Sequence, residues 1–277
     1  MSRVRLGLLA STALIVLGGQ SAEAAPPIPY DWTGFYAGGN LGYSWGNLNT
    51  TTSISPFFYD PFFYNFPGGA ISNQLHPDGW IGGFQIGYNR RIAPQWVAGI
   101  EGDWQWSGET SSRHSSFGGV NDPTCSFEFC NFTNTTDITA KLSWFATLRG
   151  RLGFLVLNDD VLLYGTGGLA FGEVTVSGVN TATLLAIIPG VVTFPAPFQT
   201  PFSYSGISPG YVIGAGAEGR VGTSRWTWKV EYLYMDLASI GGGSFGLNPV
   251  ITVNSGRFTD NILRVGFNYQ FGAAPPP

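Results

Sequence analysis

The stretch Ile138–Leu152, ITAKLSWFATLRGRL, limits the fold more than any other part of the chain. Taken by alternate residues, one register holds Ile138, Ala140, Leu142, Trp144, Ala146, Leu148, Gly150 and Leu152. The other holds Thr139, Lys141, Ser143, Phe145, Thr147, Arg149 and Arg151, and it carries every charge. A period of two is the rhythm of a β-strand, whose successive side chains point to opposite faces. In a soluble sandwich the cations of such a strand face water. In a membrane barrel the apolar face meets lipid and the cations point into the lumen.

Composition decides between these two. Only 11% of residues are charged, against roughly 25% in an average soluble domain. Aromatics make up 15%, and 40 of the 277 residues are Gly. The first residues have the form of a secretory signal: Arg3 and Arg5, an apolar run from Leu6 to Leu17, and the cleavage site Ala22-Glu23-Ala24. Residues 1–24 are therefore expected to be removed. Beyond them no apolar run reaches the roughly 20 residues of a spanning helix, and the longest, Leu184–Val192, is broken by Pro189. An exported, weakly charged, aromatic-rich chain without spanning helices can cross a membrane only as a closed barrel, which pairs every backbone group between strands. The net charge of −4 is too small to imply a nucleic-acid partner.

Eight alternating segments fit that reading: about Trp32–Gly46, Gly79–Arg91, Trp96–Ser107, Ile138–Leu152, Val161–Val174, Gly210–Val221, Arg225–Leu237 and a last strand ending at Phe271. The Gly-rich middle of Val161–Val174 leaves its register open. Long connections (about Asn47–Asp78, Gly108–Thr136, Thr175–Ser208 and Ala238–Gly256) alternate with short turns. The expected fold is all-β: an eight-stranded antiparallel transmembrane barrel over residues 25–271, with short periplasmic turns, four long extracellular loops and a flexible tail at 272–277.

On this reading ten charges point inward: Glu101, Asp103, Lys141, Arg149, Arg151, Glu218, Arg220, Lys229, Glu231 and Arg264. Eight strands enclose an interior just wide enough for side chains to fill, so these charges must pair or reach water. Paired, they plug and rigidify the lumen; hydrated, they line a narrow pore for small solutes. Trp80, Trp96, Trp104, Trp106, Trp226, Trp228, Tyr232, Tyr234, Tyr269 and Phe271 lie mostly near strand ends, as membrane-interface girdles do. Cys125 and Cys130 are expected to form a disulfide in the second loop, given an oxidising compartment. Gly214, Gly216 and Gly219 match G-x-G-x-x-G, but a turn and another strand follow rather than the helix a dinucleotide site needs. His76 and His114 fall in predicted loops. A rim hydrolase would need one of them beside a nucleophile, with Ser111, Ser112 and Ser115 near His114. No catalytic residue, cofactor or metal site is expected.

Five segments carry a family resemblance: WTGFYAG from Trp32, WFATLRGRLG from Trp144, LYGTGGLAFG from Leu163, KVEYLYMDL from Lys229 and NILRVGFNYQF from Asn261. In these the chain resembles the outer-membrane immunogenic protein (RopB-type) family of small OmpA/OmpX-like barrels of Gram-negative envelopes. The resemblance implies an outer-membrane location and no catalytic residues. It also implies that the last strand, with Tyr269 and Phe271, is the signal read by the barrel assembly machinery, although six residues follow Phe271. The expected role is a structural, surface-exposed envelope barrel; a narrow porin is the alternative and a rim hydrolase the third. Outer-membrane lipid and lipopolysaccharide are the expected surroundings. The apolar loop segments Pro56–Phe66 and Leu184–Phe198 are expected to touch lipid, host surfaces or neighbouring barrels.

Overall fold

The computed structural model describes residues 31–59, 64–66, 68–120, 129–188, 191–193, 197–246 and 250–271. The expected signal segment, the C-terminal tail and Cys125 lie outside them. In chain order the strands are β1 (Gly34–Ile54), β2 (Phe57–Tyr59), β3 (Tyr64–Phe66), β4 (Gly69–Leu75), β5 (Asp78–Ala93), β6 (Trp96–Ser107), β7 (Thr110–Val120), β8 (Phe129–Val156), β9 (Val161–Ile188), β10 (Val191–Thr193), β11 (Phe198–Arg220), β12 (Trp226–Leu237), β13 (Gly242–Phe245) and β14 (Ile251–Phe271).

Eight of these close a ring. β1 pairs with β5, β5 with β6, β6 with β8, β8 with β9, β9 with β11, β11 with β12, β12 with β14, and β14 returns to β1, all antiparallel. Closure leaves no free edge in the wall, which is what lets a sheet cross lipid. The three turns at one end are tight. One passes through Pro94 and Gln95, one through Leu157–Asp160, and one through Gly222, whose φ of +59° suits glycine.

The outer surface follows the expected alternation. On β1 the outward residues run Leu41, Tyr43, Trp45, Asn47, Asn49, Thr51, Ser53, a passage from hydrocarbon side chains through aromatics to amides and hydroxyls. A belt of exposed apolar side chains circles the wall, including Leu41, Ile86, Ile100, Leu148, Ile213 and Val265. Aromatics flank it. Trp96–Phe154 and Trp226–Tyr269 mark the turn end; Tyr43–Trp80 and the stacked pair Trp104–Trp144, with ring centroids 4.3 Å apart, mark the other. The stretch from Phe35 to Trp45 has the roughly 9–11 residues a tilted strand needs to cross.

The four long connections differ from the expectation in being largely strand. Beyond the aromatic ring the wall strands continue and recruit partners into two wings: β4–β1–β14–β13 and β7–β8–β9–β11. The wings meet where Phe117 packs on Gly69 and where Phe245 lies 5.6 Å from Phe202 and 6.4 Å from Tyr204, ring to ring. Between them runs an apolar core. Leu48, Leu75, Val253 and Phe258 come from one wing; Ile138, Ala140, Val176 and Phe202 come from the other. These segments read as loops because Ser, Thr and Asn alternate with only small or scattered apolar residues. Within the apolar segments named above, β2 and β3 pair with each other, and β10 folds back on the end of β9.

Register explains a second difference. Between Leu142 and Phe145 the pairing of β8 with β9 shifts, a bulge that adds one residue. Below it Phe145, Thr147, Arg149 and Arg151 face in, as the alternation predicts. Above it the faces exchange: Ile138, Ala140 and Leu142 are buried and Lys141 is exposed. The register of β9, left open by its glycines, puts Leu162, Tyr164, Thr166 and Ala170 inside.

Candidate functional site: a charged network across the lumen

The inward register of five strands delivers the charges. β6 supplies Glu101 and Asp103, β8 Arg149 and Arg151, β11 Glu218, β12 Lys229 and Glu231, and β14 Arg264. All eight side chains are at least nine-tenths buried. Four carboxylates meet four cations, so the cluster is neutral as a whole.

The contacts are dense. Arg149 reaches Asp103 at 2.9 Å, Glu231 at 3.0 Å, and Glu101. Arg264 reaches Asp103 at 3.0 Å and Glu231 at 2.6 Å. Lys229 donates to Glu101 at 2.6 Å and lies 3.6 Å from Glu231. Arg151 pairs with Glu218 at 2.7 Å, with its guanidinium carbon 4.0 Å from the centre of the Tyr164 ring. Neutral groups add hydrogen bonds to the carboxylates. Tyr36 donates to Glu101 at 2.7 Å, Thr147 to Asp103 at 2.8 Å, Tyr164 to Glu231 at 3.0 Å, and Thr227 and Asn268 to Glu218 at 2.7 and 2.8 Å. Gln85 continues the chain to Asn268 at 2.7 Å. Charges removed from water are tolerated only when paired and hydrogen-bonded in this way.

Glycines on the inward register make room for it. A Cβ at Gly87 would strike the Tyr36 hydroxyl, and one at Gly216 would strike that of Tyr164, so both tyrosines lie across bare backbone to reach the carboxylates.

Apolar layers lie on either side of the network. Toward the turns Trp32, Val97, Leu155, Leu162 and Tyr164 pack together, and the Trp32 indole donates to the Asp159 carbonyl at 2.8 Å. Toward the other end Ile81, Phe145, Val212, Leu233, Met235 and Ile262 begin the core that runs up between the wings.

Two of the ten expected lumen charges stand elsewhere. Lys141 faces outward because of the bulge in β8. Arg220 sits at the turn end, 2.9 Å from Asp160. Tyr269 and Phe271 face outward at the turn end, with Tyr269 in edge-to-face contact with Trp226 and Phe271, and Phe271 paired with Phe35 across the β1–β14 seam. Cys130, the second residue of β8, lies opposite Ala186; its expected partner Cys125 lies outside the described residues, so the disulfide is not placed. Gly214, Gly216 and Gly219 lie within β11, which continues as strand. His114 is exposed and 2.6 Å from Asp137, while the neighbouring Ser112 hydroxyl is engaged with Thr139 at 2.8 Å. His76 contacts Asn47 at 2.7 Å.

Sequence reasoning missed two fully buried acids. Glu109 follows β6 in what reads as loop. Asp260 lies in the inward register of β14, four residues before Arg264. Both are fully buried, and Ser107 donates to Glu109 at 3.0 Å. The inward register was the available signal for both: Asp260 lies on that of β14, and Glu109 continues that of β6 two residues beyond Ser107.

A family model described as the outer membrane protein beta-barrel domain matches residues 10–271. The chain belongs to this outer-membrane barrel family. The barrel is 30% identical to the 31 kDa outer-membrane immunogenic proteins of Brucella melitensis and Brucella suis over 272 residues, 95% of this chain and 93% of theirs. It is 28% identical to a 22 kDa outer membrane protein of Rhizobium leguminosarum, over 90% of this chain and 83% of that one. Among solved structures, Ail of Yersinia pestis aligns with 86% of the barrel and 99% of its own chain at a TM-score of 0.32 and 15% identity. The outer membrane protease OmpT of Escherichia coli aligns at a TM-score of 0.27 and 11% identity, covering 84% and 97%. Likeness this slight carries nothing about activity. The chain is an outer-membrane protein.

Proposed function

We propose that this outer-membrane barrel is a non-conducting structural element of the envelope that carries an ordered β-collar at the cell surface. What supports this is the filling of the lumen. Eight buried charges neutralise one another between two apolar layers, and no side chain among them is left as a spare base, nucleophile or ion-selecting ring. A pore would need charges that face water, and a hydrolase would need a nucleophile held against a base. The collar supplies the surface role. On β1 alone, Asn47–Ile54 extend on the order of 25 Å along the strand at roughly 3.3 Å per residue. Lipopolysaccharide, neighbouring barrels and host surfaces are the partners such a collar meets. The barrel assembly machinery reads the β14 end with Tyr269 and Phe271, after an N-terminal signal directs export.

Planar-bilayer recording of the purified barrel tests this reading. Absence of discrete conductance steps is expected. Steps that shift with Arg149→Ala or Glu231→Gln would replace it with the narrow-porin alternative.

A further inference from the structure

At the foot of the collar, on the outward face where β1 leaves the hydrocarbon belt, is a notch of about 410 Å³. Tyr43 and Trp45 form its aromatic side, and His76, Pro77 and Asp78 fold over it from the β4–β5 connection. The fold-over is fixed: the Gly46 N–H donates to the Pro77 carbonyl at 2.7 Å, the His76 ring meets Asn47 at 2.7 Å, and the Tyr43 hydroxyl donates to Asp78. Trp45 keeps 42% of its surface exposed. Directly above, the outward faces of β1 and β4 offer paired amides and hydroxyls, Asn49 opposite Gln74 and Thr51 opposite Ser72, with no charge among them.

We propose that this notch and the ladder above it bind the sugar-bearing headgroup of an outer-leaflet glycolipid, with a proximal ring stacked on Trp45. A pyranose has a face of C–H groups and a rim of hydroxyls. An aromatic plane edged by a carboxylate, an imidazole and an amide matches both, in a concave site that is mostly apolar with a few placed polar groups. Height selects the source. Tyr43 and Trp80 belong to the interfacial aromatic ring, so the notch opens where headgroups begin and the ladder follows the direction in which their saccharide extends. The inference rests on the proposed outward placement of the collar, and it goes further by naming the site and the part of the glycolipid that it holds.

The test uses the mature protein in nanodiscs containing either purified lipopolysaccharide or phospholipid alone, with soluble core oligosaccharide added to the latter, and reads retained glycan by native mass spectrometry. Retention of about one glycolipid, reduced at least tenfold by Trp45→Ala and by His76→Ala, is expected. Tyr211→Ala, on another wall of the same aromatic ring, should leave it unchanged. Binding of the soluble oligosaccharide with the same sensitivity assigns recognition to the sugar; binding of the intact glycolipid alone assigns it to the membrane-held headgroup. Retention indifferent to both notch variants, or lowered equally by Tyr211→Ala, overturns the proposal. Heat-modifiable migration verifies folding of each variant, and if Trp45→Ala does not fold, His76→Ala and Asn49→Ala decide. Conductance of the same samples separates the two readings: a conducting barrel that retains glycolipid refutes the structural role and leaves the notch standing.

Discussion

Arg149 and Glu231 lie 3.0 Å apart, although two wall strands, β9 and β11, separate β8 from β12 around the ring. The contact is a strut across the lumen. Arg149→Leu would leave Asp103, Glu101 and Glu231 short of a cation in a buried network. Removing one partner of a buried pair costs roughly 3–5 kcal/mol. Urea unfolding in lipid vesicles should show a loss of that size, and Glu231→Gln, which preserves shape, should cost less.

Glu109 gives the outer end a dependence on pH. It lies outside the membrane-spanning part, and burial, reinforced by Asp78, pushes its carboxyl up to about 7 against hydrogen bonds from Ser44 and Ser107. An acid raised in the folded state stabilises it when protonated. Its contribution is complete below the ordinary value of 4.5 and disappears as pH rises to about 7. The span corresponds to about 3 kcal/mol. Amide protection in the collar, corrected for the intrinsic pH dependence of exchange, should be greater at pH 5 than at pH 8, and Glu109→Gln should flatten that difference.

The inward glycines are predicted to be intolerant of bulk. Gly216→Val would press on Tyr164 and the Val230 carbonyl, and overpacking of this kind costs about 1–3 kcal/mol. The fraction of barrel that resists unfolding in cold detergent on gels should fall, whereas Ala215→Val, one residue away and outward, should have little effect.

The bulge in β8 predicts a labelling pattern. With impermeant maleimide on intact cells, Lys141→Cys should react and Leu142→Cys should not. The reverse would mean that the alternation of Ile138–Leu152 runs unbroken.

Phe271→Ala should lower the yield of assembled barrel in the outer membrane without destabilising barrel already assembled, as expected of a terminal strand that is read during insertion. Equal yields would leave Tyr269 and Phe271 as girdle residues only.

The wall was legible because lipid enforces a strict rule: from Phe35 to Trp45, and again from Leu263 to Phe271, each outward position is apolar or glycine. The same alternation put Glu101, Arg149, Glu231 and Arg264 inside. It did not reveal that Tyr36 and Tyr164 complete the network, because their reach depends on Gly87 and Gly216 in neighbouring strands. Lys141 was misplaced because a one-residue bulge at Ser143 and Trp144 leaves no mark in composition. The collar read as loop because water on its outer side accepts Ser, Thr and Asn, which suit turns equally well, and its core residues are spaced along strands that find each other only in the closed ring.

That bulge has a consequence for variation. Side chains above it take their facing from a count that restarts at Phe145, so the exposed half of β8 is phased independently of the half held in lipid. A residue gained or lost at that point would re-present the outside of the molecule without disturbing a single ion pair inside it. Whatever pressure acts on the visible part of this protein, its buried half is insulated from the answer.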